Sequence, residues 1–241
     1  MPSIDARGPW PRIDSLEAWT TPARVARIDH VLRQRLASVT AVFEDVFDPH
    51  NVAACLRTAD GFGLHAVHLV TNRYGARLQS TVAKSADRWL EVDHHATTAA
   101  CIQALKADGF RLWVSDLKAE RMLHDVPVAG RIAIVVGNAA SGVSAEIAAA
   151  ADERYVLPMW GMVQSFNLSV ALALSLAAVV PARRAQLGNR GDMDLERMWR
   201  VRRRWLEHGL ERADLLRRDA GDMDPVDAEP RRPDIRWEPS P

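Results

Sequence analysis

The sequence predicts an α/β fold with a mainly parallel sheet and helices on both faces. Predicted strands alternate with predicted helices through residues 39–187, the pattern that parallel strands joined by crossover helices produce. Several strands are nearly continuous apolar runs, such as RIAIVVG at 131–137, which is typical of strands buried on both faces. A chain of 241 residues that is 48% hydrophobic is also long enough to bury a full core.

The N-terminal region, residues 1–38, is predicted to hold an irregular arm followed by one basic helix. Thr21-Pro22 is a typical helix start, with proline at the first helical position. Apolar residues then recur at helical spacing while arginines occupy the other faces, which predicts an amphipathic helix over residues 21–35. The apolar positions are Val25, Ile28, Val31, Leu32 and Leu36, and the arginines are Arg24, Arg27, Arg33 and Arg35.

Residues 39–187 are predicted to form the α/β domain. Its predicted strands cover residues 39–46, 65–70, 89–92, 110–115, 131–137 and 154–159. Its predicted helices cover residues 51–61, 81–86, 97–108, 144–151 and 166–184. Short apolar runs favour strands here, and apolar residues that recur every three to four positions favour helices.

The C-terminal region segregates its charges although the whole chain is neutral. The chain holds 31 basic and 31 acidic residues, but residues 183–218 contain 11 arginines against 6 acids. Residues 219–241 contain 7 acids against 3 arginines. We expect a basic helix within 188–218 and a disordered, Pro-rich acidic tail at 219–241.

Cysteine usage and hydropathy indicate a cytoplasmic protein without a membrane span. Cys55 and Cys101 stand alone, so neither a disulfide framework nor a zinc-type spacing is present. The first residues lack the apolar core of a signal peptide, and the apolar stretch at 168–180 is too short to span a bilayer. We expect no metal, because His65 and His68 lie in a predicted strand without acidic partners, and His94 and His95 are similarly isolated.

Three segments that follow predicted strands carry the polar groups of a candidate site: residues 50–63, 137–144 and 157–174. Ligands in open parallel sheets bind beyond the carboxyl ends of the strands, so these segments should converge. Gly137 and Gly161 would let backbone approach a ligand closely. Neither a GxGxxG fingerprint nor a P-loop is present, which excludes the usual dinucleotide and P-loop sites.

The polar groups in these segments suit a neutral heteroaromatic ring and a hydroxyl. They are Asn51, Arg57, Asn138, Ser165, Asn167 and Ser169. Taken singly, each has an ordinary structural interpretation, as a helix cap or a surface arginine. Their order, spacing and placement at strand ends favour a joint functional site.

The same segments resemble signature motifs of the SPOUT superfamily of S-adenosylmethionine-dependent RNA methyltransferases, and within it the TrmH-type ribose methyltransferases. The first motif, N-x-x-A-x-x-R-T, is matched by Asn51, Ala54, Arg57 and Thr58. The third motif is matched by Pro158, Met159, Gly161, Ser165, Phe166, Asn167, Ser169 and Ala171. The likeness covers residues 21–187. The stretch GMVQS at 161–165 and the short basic N-terminal helix resemble the tRNA enzymes in particular.

This resemblance implies a trefoil knot formed by the chain after Val135, with S-adenosylmethionine bound in it. The residues that would line the cofactor pocket are Ser115, Gly137, Leu157, Met159, Gly161 and Phe166. The resemblance also implies a homodimer, with the final apolar helix supplying much of the interface.

The activity implied by the resemblance is 2′-O-methylation of a guanosine ribose, at position 18 in the D-loop of tRNA. Arg57 would assist deprotonation of the ribose hydroxyl, held by Asn51, while Ser165 and Asn167 would position the ribose and the cofactor. An arginine base is physically awkward because the guanidinium group stays protonated. The favoured role for Arg57 is therefore to bind a substrate phosphate and to stabilise the developing alkoxide.

Arginines of the two basic helices are the predicted tRNA contacts, because cationic helices neutralise phosphates. They are Arg24, Arg27, Arg200, Arg203 and Arg204. A solvated helix face is the alternative for this cluster. Trp199 and Trp205 are candidates either for stacking on a base or for core packing.

The second motif departs from the family pattern at one residue. Relatives carry an acid in a G-[NQ]-E sequence, whereas this chain reads Gly137, Asn138, Ala139. Two alternatives therefore stay open. One is a 2′-O-methyltransferase of the same superfamily that acts on rRNA or on another tRNA position. The other is a catalytically weakened RNA-binding relative that lacks the usual acid.

Overall fold

The computed structural model describes residues 15–46, 48–71, 88–138 and 142–208. Most of the predicted N-terminal arm, the predicted helix at 81–86, Ala139 and the predicted acidic tail at 219–241 lie outside these residues. The described residues divide into two compact units. One is Leu36–Gly191, and the other combines residues before 36 with residues after 191.

A six-stranded sheet forms the centre of the larger unit, and each neighbouring pair of strands is parallel. The strands are β1 (Val39–Glu44), β2 (Ala66–Val70), β3 (Glu91–His95), β4 (Phe110–Ser115), β5 (Arg131–Val136) and β6 (Glu153–Tyr155). Their order across the sheet is β3-β2-β1-β5-β4-β6. The predicted parallel sheet is confirmed.

The helices of the described residues each begin at a side-chain cap. They are α1 (Pro22–Gln34), α2 (Pro49–Gly61), α3 (Thr98–Ala107), α4 (Ala145–Ala150), α5 (Leu168–Gln186) and α6 (Leu195–Glu207). The capping residues are Thr21, Asp48, Thr97, Ser144, Asn167 and Asp194, and each side-chain oxygen accepts a hydrogen bond from a backbone N–H of the first turn. Such caps satisfy donors that the helix itself leaves unpaired.

Helices cover both faces of the sheet, as the sequence predicts. Phe43 of β1 belongs to a core that includes Leu56 of α2 and Leu172 of α5. Its neighbour Val42 belongs to a second core, which includes Cys101 of α3 and residues of α4. Alternate strand residues point to opposite faces, so one apolar strand supplies both cores.

The final strand is shorter than predicted. The sequence favours a strand over residues 154–159, whereas β6 ends at Tyr155. Val156 makes only an isolated bridge to Met122, and Pro158 has no N–H to donate to a ladder. The residues that follow therefore leave the sheet at its carboxyl edge.

The expectation that the strand histidines lack acidic partners is wrong. Nε2 of His65 lies 2.8 Å from Oε2 of Glu91, and Nδ1 of His68 lies 3.7 Å from Oδ2 of Asp93. The cause is the parallel pairing of β2 with β3, which sets His68 opposite Asp93. Sequence spacing alone does not show which strands become neighbours.

The apolar stretch judged too short to span a bilayer continues as the 19-residue helix α5. Among the described residues, α5 is long and apolar enough to cross a membrane by length and composition alone. A core helix of a folded domain meets the same criterion. Leu172, Leu176 and Val179 of α5 are indeed buried in the core of the larger unit.

The smaller unit pairs α1 with α6 around a buried arginine. The Arg202 side chain is fully buried, with Nε 2.6 Å from Oδ1 of Asp29 and Nη1 2.6 Å from Oε1 of Glu17. Trp205 is also buried, and the Arg35 guanidinium lies 5.0 Å from its ring centroid. Trp205 therefore packs in the core and is not available to stack on a base.

Replacing Arg202 by alanine should strongly destabilise the smaller unit, because it removes the buried positive charge beside Asp29 and Glu17. Removing one partner of a buried ion pair costs about 3–5 kcal/mol. Denaturant unfolding monitored by intrinsic tryptophan fluorescence, compared with the wild type, measures the loss. Arg200→Ala, at an exposed position on the same helix, is the control. Equal stability of the two variants would contradict a structural role for the buried pairs.

Candidate active site

The first motif lies on α2, directly after β1. Asp48 caps the helix by accepting a hydrogen bond from the His50 N–H at 2.9 Å, and Pro49 occupies its first turn. Val52, Cys55 and Leu56 bury one side of α2 in the core. The motif residues occupy other faces: Asn51 is half-buried and Arg57 is exposed. Arg57 has no ion-pair partner within the described part of the chain.

A hydrogen bond joins the first motif to the third. The Asn167 side chain caps α5 through Oδ1, which accepts from the Ser169 backbone N–H at 2.9 Å and from the Ser169 hydroxyl at 2.7 Å. Its Nδ2 donates to Oδ1 of Asn51 at 3.1 Å. Asn167 is therefore both a helix cap and a link between segments 116 residues apart. The predicted convergence of these two segments is confirmed.

The second motif follows β5, and its described residues Gly137 and Asn138 lie against Gly142. A Cβ on Gly137 would lie 2.3 Å from the carbonyl oxygen of Gly142, so only glycine fits without movement of the backbone. Gly142 itself has a φ of 70°, a region that glycine adopts without strain. The Asn138 Nδ2 donates to the carbonyl of Asp45 at 3.1 Å, and this bond connects the end of β5 to the end of β1.

Glu44 organises the same region, although the sequence alone does not single it out. It is 2% exposed, at the end of β1. Its carboxylate accepts from the Ser144 backbone N–H, the Ser144 hydroxyl and the Thr98 hydroxyl, each at 2.7 Å. Ser144 caps α4 at the end of the glycine loop. The only sequence signal is an acid that closes the apolar run VTAVFE.

The third motif leaves the sheet as an exposed loop between β6 and α5. Leu157 is buried and Met159 is half-buried, whereas Gly161 and Ser165 are exposed and Phe166 is half-buried. Below this loop, burial raises the pKa of Tyr155 to about 12, so its hydroxyl stays protonated and bonds Ser175 at 2.7 Å. This bond holds α5 against β6 beneath the loop.

Strand order places the predicted cofactor residues at adjoining strand ends. Ser115 ends β4 and Gly137 follows β5, while Leu157 lies two residues beyond β6; these three strands are neighbours. The arrangement offers backbone groups, amides, hydroxyls and one guanidinium. Such groups can hold an uncharged ring and orient a hydroxyl, but among the described residues of this edge no pair of facing carboxylates is available for acid–base work.

Comparison with known proteins agrees with this geometry. A sequence model of the SpoU rRNA Methylase family matches residues 38–177, more than half of the chain. The chain belongs to the SpoU rRNA Methylase family. The matched residues include the segments that carry Asn51, Gly137 and Asn167, so the resemblance inferred from the motifs is confirmed.

Individual relatives also match this SpoU family protein. It is 35% identical over 156 residues to the tRNA (guanosine(18)-2′-O)-methyltransferase of Escherichia coli K12, covering 64% of this chain and 68% of the relative. It is 34% identical over 188 residues to a protein of the same name from Thermus thermophilus, covering 77% and 97%. The crystal structure of the A. aeolicus TrmH/SpoU tRNA modifying enzyme superposes with a TM-score of 0.69 at 26% identity, covering 81% of this chain and 99% of that one. The predicted fold class is confirmed.

We expect Gly137→Ala to destabilise the larger unit, because the new methyl group would overlap the Gly142 backbone. Overpacking of this kind costs about 1–3 kcal/mol. Gly161→Ala is the matched control, since its Cβ meets nothing within 4 Å. Thermal unfolding followed by circular dichroism compares the two. A Gly137→Ala protein as stable as Gly161→Ala would show that the loop is not closed as described.

Glu44→Gln should also destabilise the larger unit, because an amide cannot accept from three donors as a carboxylate does. Leaving a buried donor unpaired costs about 1–3 kcal/mol. Glu146→Gln, at an exposed acid in the first turn of α4, should have little effect on unfolding in urea. Equal midpoints for the two variants would count against the role of Glu44.

Proposed function

We propose that this SpoU family protein transfers a methyl group from S-adenosylmethionine to the ribose 2′-hydroxyl of guanosine 18 in tRNA. The observation that carries the proposal is the Asn167–Asn51 hydrogen bond, which brings the helix of Arg57 and the start of α5 to one edge of the sheet. Support comes from relatives named for this reaction, of which one is matched over 97% of its length. The 81% of this chain that superposes on a TrmH/SpoU tRNA modifying enzyme adds to that support.

The residues at the carboxyl edge fit a cofactor held by backbone groups. Gly137, Leu157 and Met159 would hold an adenine through their main chains, and Ser115, Gly161 and Phe166 would complete the pocket. The absence of space beside Gly137 supports this, because it brings two stretches of main chain together there. When bound, S-adenosylmethionine supplies a methyl group activated by a positively charged sulfur. We further propose that the chain after Val135 is knotted around this pocket.

We propose that Arg57 stabilises negative charge and does not act as a base. Its exposed guanidinium can present paired N–H donors to a substrate phosphate and to the 2′-oxygen. It would stabilise the negative charge that develops on that oxygen as the proton passes to solvent. By the family resemblance, Asn51 would hold Arg57. Ser165 and Asn167 would orient the ribose and the cofactor.

Residues 39–187 are proposed as the catalytic domain, with the extensions at 1–38 and 188–218 binding tRNA through phosphate contacts. Arg24 and Arg200 are exposed on α1 and α6. Arg27 is exposed on α1 as well, whereas Arg203 and Arg204 are half-buried, so these two present only part of each side chain to RNA. The protein would act in the cytoplasm, where its tRNA substrate is found.

A homodimer is proposed from exposed apolar side chains around α5. Val170 and Leu174 are 44% and 42% exposed on the helix, and Trp160 and Met162 in the preceding loop are 92% and 100% exposed. Contiguous exposed apolar surface marks interaction sites, and these four side chains lie within residues 160–174. A second copy of the chain would cover it, rather than a membrane.

The alternative function is an RNA-binding relative without turnover, and the observation that favours it is Ala139 in place of an acid. Calorimetry with S-adenosylmethionine separates the two. Binding of the cofactor supports an active enzyme, and a lack of binding supports the RNA-binding relative without turnover. Methylation assays with each RNA test whether the protein acts instead on rRNA or on another tRNA position.

Replacing Arg57 by alanine should abolish methyl transfer to a tRNA transcript, measured with radiolabelled S-adenosylmethionine. Arg57→Lys should also be strongly impaired, since a point charge does not reproduce the planar fork of donors. Both variants should fold normally, because Arg57 is exposed and outside the core. Full activity of Arg57→Lys would contradict both roles considered for this residue.

Leu174→Lys should convert the dimer to a monomer, because it places a charge in the apolar surface of α5. Light scattering coupled to size-exclusion chromatography measures the mass. Leu195→Lys is the control, since Leu195 is 52% exposed on α6, away from this surface in sequence. A monomeric wild-type protein, or a Leu174→Lys protein of unchanged mass, would overturn the proposed interface.

A further inference from the structure

Two histidines and a cysteine meet on the face of the sheet that is covered by α3. His68 lies on β2 and His95 on β3, and Cys101 lies on α3. His68 and Cys101 are buried, and His95 is half-buried. Nδ1 of His68 is 3.0 Å from Nε2 of His95, and one ligand atom from each of the three residues lies within 4.8 Å of the others.

We propose that His68, His95 and Cys101 form a binding site for Zn²⁺. Imidazole nitrogen and thiolate sulfur are the donors that zinc prefers, and three protein ligands leave a fourth position for water or a carboxylate. Asp93 is the candidate for that position, because its Oδ2 is 3.7 Å from Nδ1 of His68.

The spacing of the donor atoms suits a tetrahedral ion with limited adjustment. With Zn–N bonds of about 2.0–2.1 Å and a Zn–S bond of about 2.3 Å, the ligand atoms of such a site lie about 3.3–3.6 Å apart. The two imidazole nitrogens, at 3.0 Å, are already near this value. At the upper limit of 4.8 Å, the sulfur would have to approach the nitrogens by about 1 Å.

The surroundings favour a divalent cation. Burial lowers the pKa of His68 to about 4, so its ring is neutral near pH 7 and keeps a lone pair for a metal. Burial, together with the negative charges of Glu44 and Asp93, raises the pKa of the Cys101 thiol to about 12, so a bound ion would have to displace the thiol proton. The same negative charges attract a cation. On binding, the S–H bond would break, its proton would pass to solvent, and a Zn–S bond would form.

This site is separate from the proposed methyl-transfer site. Asn51, Arg57 and Asn167 belong to α2 and to the start of α5, whose buried residues join one core of the sheet. Cys101 joins the other core, with α4. A zinc ion would join the edge strand β3 to β2 and α3, so its role would be to stabilise the folded domain.

The test is zinc binding by the full chain after treatment with a chelator. We expect one Zn²⁺ per chain in competition with a chromophoric chelator, and a rise in the melting temperature with added zinc. Co²⁺ used as a probe should give the absorption of a cobalt–thiolate bond. Cys101→Ser should remove that absorption and lower the zinc affinity by at least the roughly 10–100-fold that second-shell changes cost.

Cys55→Ser is the matched control, because Cys55 is the other buried thiol and burial raises its pKa to about 12 as well. This variant should bind both ions like the wild type. His95→Gln, at a half-buried position, provides a second ligand variant if Cys101→Ser does not fold. The proposal is overturned if the wild type binds no zinc, or if Cys55→Ser and Cys101→Ser lose it equally. The close histidines would then be a hydrogen-bonded pair.

Discussion

The side-chain amide of Asn167 is the interaction on which the candidate site depends. Its oxygen begins α5, and its nitrogen donates to Asn51 of α2 at 3.1 Å. Both helices pack on one face of the sheet, and this contact brings their ends together at the edge where the strands finish. The helix that carries Arg57 is thereby held against the start of α5. Asn167 therefore both caps α5 and connects it to α2.

A second set of contacts supports this edge from the opposite face. The Glu44 carboxylate holds the cap of α4 and the Thr98 hydroxyl at the start of α3. The Asn138 side chain donates to the backbone carbonyl of Asp45, and Gly137 allows the close approach of the Gly142 backbone. Ala139 stands where the family resemblance implies an acid. The described residues on either side of it, Asn138 and Gly142, are held by other contacts.

Much of the fold follows from local signals in the sequence. Continuous apolar strands indicate a parallel sheet, and residues such as Thr21, Asp48 and Asn167 mark helix starts because their side chains satisfy exposed backbone donors. Strand order does not follow in this way, because pairing joins residues far apart in sequence. For that reason the contact of His68 with His95, and the three donors around Glu44, could not be predicted. The early end of β6 could have been predicted, because Pro158 has no N–H to donate to a ladder.

The most direct test of the proposed activity uses two tRNA transcripts that differ by one oxygen atom. One carries guanosine at position 18 and the other carries 2′-deoxyguanosine there, so that only the proposed acceptor hydroxyl is absent. With S-adenosylmethionine and the full chain, we expect methyl incorporation at position 18 of the first transcript and none into the second, measured by nucleoside mass spectrometry. Equal incorporation into both, or a methyl group at another position of the first, would contradict the assignment of the guanosine 18 ribose as the acceptor.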